Sequence, residues 1–496
     1  MIELTAADVA TATGGRLHAD ADARVTGPVV VDSRRAGPGS LFVALPGERV
    51  DGHDFASAAL EAGATLVLAA RELAGVPTVV VDDVQAALGE LARAVLARAR
   101  AAGDLRVVAV TGSVGKTTTK DLLGQLLVGS GAGQTSAESI IVPAGSFNNE
   151  VGLPLTVLRV QADTRYLVLE MGADGPGNIA YLTRIAPPDV GVVLAVGTAH
   201  VGKFGSVEAI AATKAEMVTG VVPGGTVVLN ADDQRVAAMA SGAAADRSVV
   251  TFGTIPAADV RARDVEVDAT GRAGFGLQVT GGEPLPVRLR LVGAHHVSNA
   301  LAAAAVATAL GVPAPVLAEG LSQATPVSPH RMAVTERPDG VTVVDDAYNA
   351  NPDSMRAALR ALAVMAGRDR RSVAVLGEML ELGDGSRAAH DAIGRLVVRL
   401  NIKLLVVVGE GAYHIHEGAL QEGSWGEESV FVPDLDSARA VLADALAPGD
   451  VVLVKSSLGS GLWRLGDELA AGGPEASTPS STLSSTPTEP GTEVAP

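Results

Sequence analysis

Short apolar runs recur along this chain, and most are followed by a stretch in which apolar residues return every three or four positions. Val29–Asp32 and Leu41–Leu45 read as strands around the turn Gly37-Pro38-Gly39. Phe55–Gly63 reads as a helix, Thr65–Ala69 as a strand, and Val84–Ala101 as a long Ala/Arg-rich helix. A second series opens on the apolar strand Arg106–Thr111 and continues with helical spacing over Thr117–Leu127. Strands are predicted at Tyr166–Glu170, Val190–Val196 and Thr226–Asn230. Residues 251–292 are richer in strand pattern, and Ser298–Leu310 returns to helix. A third series places strands at Val341–Val344, Ser372–Leu376, Leu404–Val408 and Val451–Val454 between helical segments.

Apolar strands alternating with helices predict α/β units built on parallel sheets covered on both faces. The 496 residues are too many for one ordinary domain. The breaks in pattern divide them into an α/β domain over 1–102, a central phosphate-loop domain over 103–328 and a Rossmann-like domain over 329–470. No G-x-G-x-x-G string occurs in the third of these. Residues 471–496 are rich in Ser, Thr and Pro and too poor in apolar side chains to offset their ordering entropy, so a disordered tail is expected.

Composition narrows the partners. A formal charge of −18 argues against binding nucleic acid or an anionic membrane through the overall field. The absence of cysteine removes disulfides, thiolate nucleophiles and cysteine metal sites. The first residues lack a basic and then apolar leader pattern, and the most apolar stretch, Ala300–Ala318, is broken by Gly311, Pro313 and Pro315. A soluble, monomeric, cytoplasmic protein without a membrane span is expected.

The strongest local signal is Gly112-Ser113-Val114-Gly115-Lys116-Thr117-Thr118, which follows an apolar strand and opens a helix. Glycines let backbone N–H groups turn toward phosphate oxygens, and the helix N-terminus adds a favourable dipole. Lys116 suits β/γ-phosphate charge, and the Thr117 hydroxyl suits Mg²⁺. The string is shorter than G-x-x-x-x-G-K-[ST], with Val110 at the earlier glycine position, so a Gly/Thr-rich turn without function is the bland alternative. A GTPase would use the same loop. Thr213-Lys214-Ala215-Glu216 resembles a guanine-reading element only faintly, with Glu in place of Asp and inside a helix.

That helix, predicted over Ser206–Val221, carries Lys214 on the same face as Val207, Ile210, Ala211, Val218 and Val221. Either the lysine snorkels from the edge of the stripe, or it is buried, with a lowered pKa and a reactive amine. Glu170 ends a predicted strand and His200 follows another. Ligands of open parallel sheets sit beyond such strand ends, so the two are candidates for a metal site beside the phosphate loop or for ordinary surface positions.

Longer strings resemble the Mur ligases, and within them the MurF-type branch, over about residues 1–470. They are Val31-Asp32-Ser33-Arg34, Pro38–Ala44 and Asp51–Phe55 in the first domain. Ser146–Thr156, Glu170-Met171-Gly172-Ala173 and Lys214-Ala215-Glu216 follow in the second, and Asp345–Pro352 and Gly377–Gly383 in the third. The resemblance implies an ATP-dependent ligase that adds D-alanyl-D-alanine to UDP-N-acetylmuramoyl-tripeptide. It implies Lys116, Lys214, His200 and Glu170 as catalytic residues. Mg²⁺ would be held by Thr117, Glu170, His200 and a carbamate formed from CO₂ on Lys214. Gly112–Thr118, Asn299, Arg331, Asp346, Tyr348 and Asn349 would bind ATP, and Ser33, Arg34, Asn148, Asn149 and Glu150 the other substrates. His296 stands where the family usually has Asn, and Ser456-Ser457-Leu458-Gly459 replaces a more usual Gly-Ser-Arg string.

The implied reaction passes through an acyl phosphate that the dipeptide amine attacks, with closure of the third domain over the nucleotide. The rival within the enzyme class is the ligase that adds the third residue, whose Asp-Asn-Pro-Arg string is absent. Folylpolyglutamate synthase typically begins close to its phosphate loop, whereas about 110 residues precede it here. The rival from another class is a non-catalytic nucleotide-dependent switch.

Overall fold

The computed structural model describes residues 2–47, 50–128, 135–143, 145–197, 201–423 and 428–472. From residue 473 onward the predicted tail lies outside the described residues. Three main sheets carry the chain, as the alternating pattern implies.

The first sheet orders Arg16–His18, Thr78–Val80, Leu66–Ala69, Leu41–Val43 and Val29–Val30, with a separate pair formed by Leu4–Thr5 and Arg24–Val25. The central sheet has nine strands. From one edge these are Ile140–Ile141, Tyr166–Glu170, Arg106–Thr111, Val190–Val193, Thr226–Asn230, Ser248–Gly253 and Val260–Val267, all parallel to their neighbours. Arg272–Val279 and Leu285–Val292 extend it antiparallel. The third sheet orders Ala333–Glu336, Thr342–Asp345, Val451–Lys455, Ser372–Leu376, Leu404–Val408 and Ser429–Val432, parallel except at its first strand.

The central strands are Val/Leu-rich because helices cover both faces. Val107 to Val110, Leu167 to Leu169 and Val227 to Leu229 are fully buried. The Ala-rich stretch that was the most apolar in the sequence becomes two helices, His296–Ala309 and Ala314–Gln323. Its alanines let the first of these pack closely on the helix Lys116–Leu127 that follows the phosphate loop. Among the described residues no helix is long and apolar enough to cross a membrane.

One difference from the sequence reading matters for the site. The strand predicted over Val190–Val196 ends at Val193, and Leu194, Ala195 and Val196 leave the sheet while staying largely inside. Their apolar side chains line a turn whose backbone is held by Asp233 and Asn230, which an apolar run alone does not distinguish from strand. The first unit has a cluster of its own on one face of its sheet, with Phe42, Ala59 and Val67, and is joined to the central unit on the other. Helix Val84–Ala102 packs on Gly152–Val157 of the central unit, and one continuous cluster joins Leu4, Val9 and Leu91 to Leu153, Leu169 and Met217.

Candidate active site

The strand Arg106–Thr111 lies between Tyr166–Glu170 and Val190–Val193, so the chain crosses from one side of it to the other after Glu170. This is the switch point at which open α/β sheets bind ligands. Register aligns the ends, with Glu170 opposite Val110 and Val193 opposite Thr111. Beyond them opens a cavity of about 630 Å³, within the range of small-molecule sites.

Gly112, Ser113, Val114, Gly115, Lys116, Thr117 and Thr118 all line it. The loop is tied to the neighbouring strand exit: the Ser113 N–H donates to the Ala195 carbonyl and the Ser113 Oγ accepts from the Gly197 N–H, both at 2.9 Å. The helix Lys116–Leu127 starts without a side-chain cap, leaving N–H groups of its first turn for an anion. Gly115 has φ +85°, and a Cβ there would lie 2.3 Å from Asn299 Oδ1. Gly115→Ala is therefore expected to weaken ADP binding by about tenfold to a hundredfold, the equivalent of the strain it introduces. Equilibrium dialysis measures this, and unchanged affinity would contradict the cradle.

Lys116 donates to the Gly112 carbonyl at 2.8 Å. Burial lowers its pKa, and Glu170 partly opposes that. The Thr117 hydroxyl donates to Glu170 Oε2 at 2.9 Å, and Asn148 Nδ2 donates to Glu170 Oε1 at 2.8 Å. A buried hydroxyl and a buried carboxylate, each within reach of the phosphate loop, form the hard-oxygen donor set that Mg²⁺ takes. His200, their expected companion, lies outside the described residues.

Lys214 does not snorkel. It sits on the helix Val207–Gly220 at 5 % exposure and lines the same cavity. Burial, with repulsion from Lys116, lowers its pKa to about 7. No hydrogen bond or ion pair reaches its ammonium among the described residues. Two positions along that helix, Glu216 accepts the N–H groups of Gly177 and Ala180 at 2.8 and 2.9 Å, fixing the lysine helix against Asn178–Ile185.

The third sheet reaches the same cavity. Arg331 Nη2 donates to Thr117 Oγ1 at 3.3 Å, and its guanidinium lies 4.3 Å from the Tyr348 ring centroid. Asp346 Oδ2 accepts from Lys455 Nζ at 2.5 Å, and the same Nζ donates to the Asn349 carbonyl at 2.8 Å. Asn299 lines the cavity and contacts His296 Nδ1 at 3.2 Å. His296 Nε2 and Arg331 Nε are buried without a partner among the described residues. Unpaired buried polar groups are costly, and two at one cavity fit a ligand with polar atoms of its own.

The substrate candidates divide. Asn148, Asn149 and Glu150 line the cavity. Asn149 Oδ1 accepts from the Gly152 N–H at 2.8 Å, and Glu150 accepts from Asn178 Nδ2 at 3.0 Å. Ser33 and Arg34 are not brought there. They sit on a short 3₁₀ turn of the first unit, with Arg34 exposed and forked onto Asp32. Sequence reasoning missed Ser146, whose hydroxyl is 3.1 Å from Thr117 and 3.4 Å from Arg331. It also missed Lys120, fully buried, which donates to the Pro143 carbonyl at 2.8 Å and so anchors the segment that carries Ser146 and Asn148. The signal was available, since Lys120 lies one turn beyond Lys116 on the buried face of its helix.

A phosphate loop at a sheet switch point, two buried lysines, a buried carboxylate and an arginine from a further α/β sheet define a multidomain, nucleotide-using α/β enzyme. The chain belongs to the Mur ligase family. Residues 28–95 match the Mur ligase family catalytic domain, 110–307 the Mur ligase middle domain, and 330–458 the Mur ligase glutamate ligase domain. A UDP-N-acetylmuramoyl-tripeptide–D-alanyl-D-alanine ligase of Mycobacterium tuberculosis is 50% identical over 514 residues, spanning 95% of this chain and 98% of its own. The crystal structure of MurF from Acinetobacter baumannii superposes with a TM-score of 0.83 at 31% identity, covering 95% of this chain and 99% of that one. MurF ligase from Thermotoga maritima, solved with ADP, gives 0.74 at 31% identity, covering 90% and 98%.

Proposed function

We propose that this chain is an ATP-dependent ligase that joins D-alanyl-D-alanine to UDP-N-acetylmuramoyl-tripeptide, in the cytoplasm, as a step in making the peptidoglycan precursor. The observation that carries the reading is convergence: the phosphate loop, Glu170, Lys214 and Arg331 face one cavity in a chain whose relatives at up to 50% identity are named for that reaction. Domain boundaries at about 102 and 328 accompany it. What supports them is that a new sheet begins beyond helix Val84–Ala102 and again beyond helix Ala314–Gln323.

The terminal carboxylate of the tripeptide attacks the γ-phosphorus of ATP, giving an acyl phosphate and ADP. The dipeptide amine then attacks that carbonyl, inorganic phosphate leaves, and the amine's surplus proton passes to solvent. The obstacle is bringing a carboxylate against a polyanion. Lys116 and Arg331 place positive charge where the phosphates gather, in a site where water screens little. Thr117 and Glu170 would hold Mg²⁺, with His200; the ion when bound neutralises phosphate charge. The Lys214 amine, neutral above a pKa of about 7, is able to add to CO₂ with loss of one proton, turning a cation that Lys116 repels into an anion that it attracts. Asn148 orients Glu170, and Asn299, Tyr348, Asn349 and Asp346 border the nucleotide. Ser33 and Arg34, away from this cavity, suit the UDP-sugar end of the long substrate.

Phosphate release from ATP, measured with UDP-muramoyl-tripeptide and with or without D-Ala-D-Ala, tests the reading. Sustained release is expected only with the dipeptide. Release that ignores it would remove the ligase assignment.

A further inference from the structure

Arg331 is held in the cavity by a segment in an unfavourable backbone conformation. Its two neighbours, His330 and Met332, both have positive φ, at 55° and 52°, a region that side-chain-bearing residues adopt only when their surroundings impose it. Two consecutive aspartates at the end of strand Thr342–Asp345 supply those surroundings. Asp345 Oδ2 takes His330 Nδ1 at 2.5 Å, while Asp346 Oδ1 accepts the Met332 N–H at 3.1 Å.

The first of these contacts is built into the fold. Asp345 is buried, with its other oxygen accepting the Ala347 N–H at 3.1 Å. The helix Trp463–Ala470 passes it at Gly466, where a Cβ would lie 2.7 Å from the carboxyl group. Neither His330 nor Asp345 lines the cavity. Burial pushes the Asp345 carboxyl up, and its bond to the His330 ring opposes that.

We propose that His330 and Asp345 are positioning residues for Arg331: the bond between them imposes the left-handed backbone that aims the guanidinium across Tyr348 onto the phosphate loop. The inference rests on the reading of the cavity as the nucleotide site. It differs from that reading in assigning a role to side chains that touch no substrate.

A double-mutant cycle on the full chain tests it, with kcat/KM for ATP from phosphate release under ligation conditions. Glycine adopts φ +55° without strain, so His330→Gly removes the ring and leaves the backbone permitted. His330→Gly is expected to lower kcat/KM at least tenfold, and Arg331→Met by more. The double variant should match Arg331→Met within about twofold, because the ring acts only through the guanidinium. Asp345→Asn, whose amide oxygen keeps the Ala347 N–H while its NH₂ donates to Nδ1 of a neutral ring, should stay within about threefold of wild type, while Asp345→Ala should fall as His330→Gly does. Melting temperatures of each variant are read beside the rates.

Losses that multiply in the double variant would overturn the proposal, since a role in general folding predicts that result. Wild-type rates in His330→Gly would also overturn it. Wild-type rates in Arg331→Met would instead remove the cavity reading on which it stands, and the proposal with it.

Discussion

Lys214→Met is expected to abolish ligation while making the ligand-free protein more stable. The loss in turnover should be at least about a thousandfold, the upper range for removing one preorganised electrostatic group. The gain in stability follows from burial. At 5 % exposure the Lys214 ammonium is desolvated without compensation from the described residues, whereas a methionine of similar length packs there at no such cost.

The pH dependence has a definite sign. The folded pKa is lowered from 10.5 to about 7. Between those values the unfolded chain binds the proton that the folded chain has lost, so wild-type stability rises with pH across that window. The melting-temperature advantage of Lys214→Met, measured with CO₂ excluded, should therefore be full below about pH 7 and fade toward pH 10.5. Each kcal/mol is worth about 2–4 °C in domains of about 150–250 residues. Two further measurements separate a carbamate from a plain cation. ¹³CO₂ should give a carbamate carbon signal in wild type and none in Lys214→Met, and Lys214→Arg, which keeps the charge, should be as inactive as Lys214→Met. Wild-type turnover in Lys214→Arg would falsify the carbamate role.

Glu170→Gln is expected to lower turnover by about a hundredfold to a thousandfold, and to raise the Mg²⁺ concentration needed for half-maximal rate at least tenfold. The substitution removes charge and keeps shape. The amide oxygen still accepts from Asn148, and the amide nitrogen still meets the Thr117 hydroxyl, whose lone pairs accept. A second consequence concerns Lys116, whose lowered pKa is partly restored by the Glu170 charge. Without that charge the pKa falls further, so the alkaline limb of the pH–rate profile should move to lower pH. An unchanged Mg²⁺ requirement would rule out Glu170 as a metal ligand.

Electrostatics would also give a carbamate on Lys214 a reason. Lys116 and Lys214 line one cavity, and repulsion from Lys116 is one cause of the lowered Lys214 pKa. A polyanionic nucleotide relieves Lys116. A carbamate would relieve Lys214 and supply a second anion for a divalent cation. The salt bridges of Lys203 with Asp174 and Glu381, at 3.0 and 3.1 Å, join the central and third units on the rim of this cavity. They are half-exposed and contribute little stability singly.

The sequence by itself determined the local chemistry of this protein. An apolar strand running into Gly112–Thr118 and then helical spacing is enough to specify strand, loop and helix, because backbone preference and burial period agree there. The same holds for Tyr166–Glu170, Thr226–Asn230 and Leu404–Val408, each found where its apolar run lies. Short strands such as Arg16–His18, Thr78–Val80 and Ala333–Glu336 were not legible, since a strand of three or four residues is specified by its partner more than by its own pattern. Only the tertiary structure decided whether Lys214 snorkels or is buried, because helical spacing gives the face a residue occupies and not what covers that face. Only the tertiary structure brought Arg331 to Thr117 across 214 residues, and left Arg34 away from the cavity. Contacts of that range are fixed by how whole sheets pack, and no local pattern of residues encodes them.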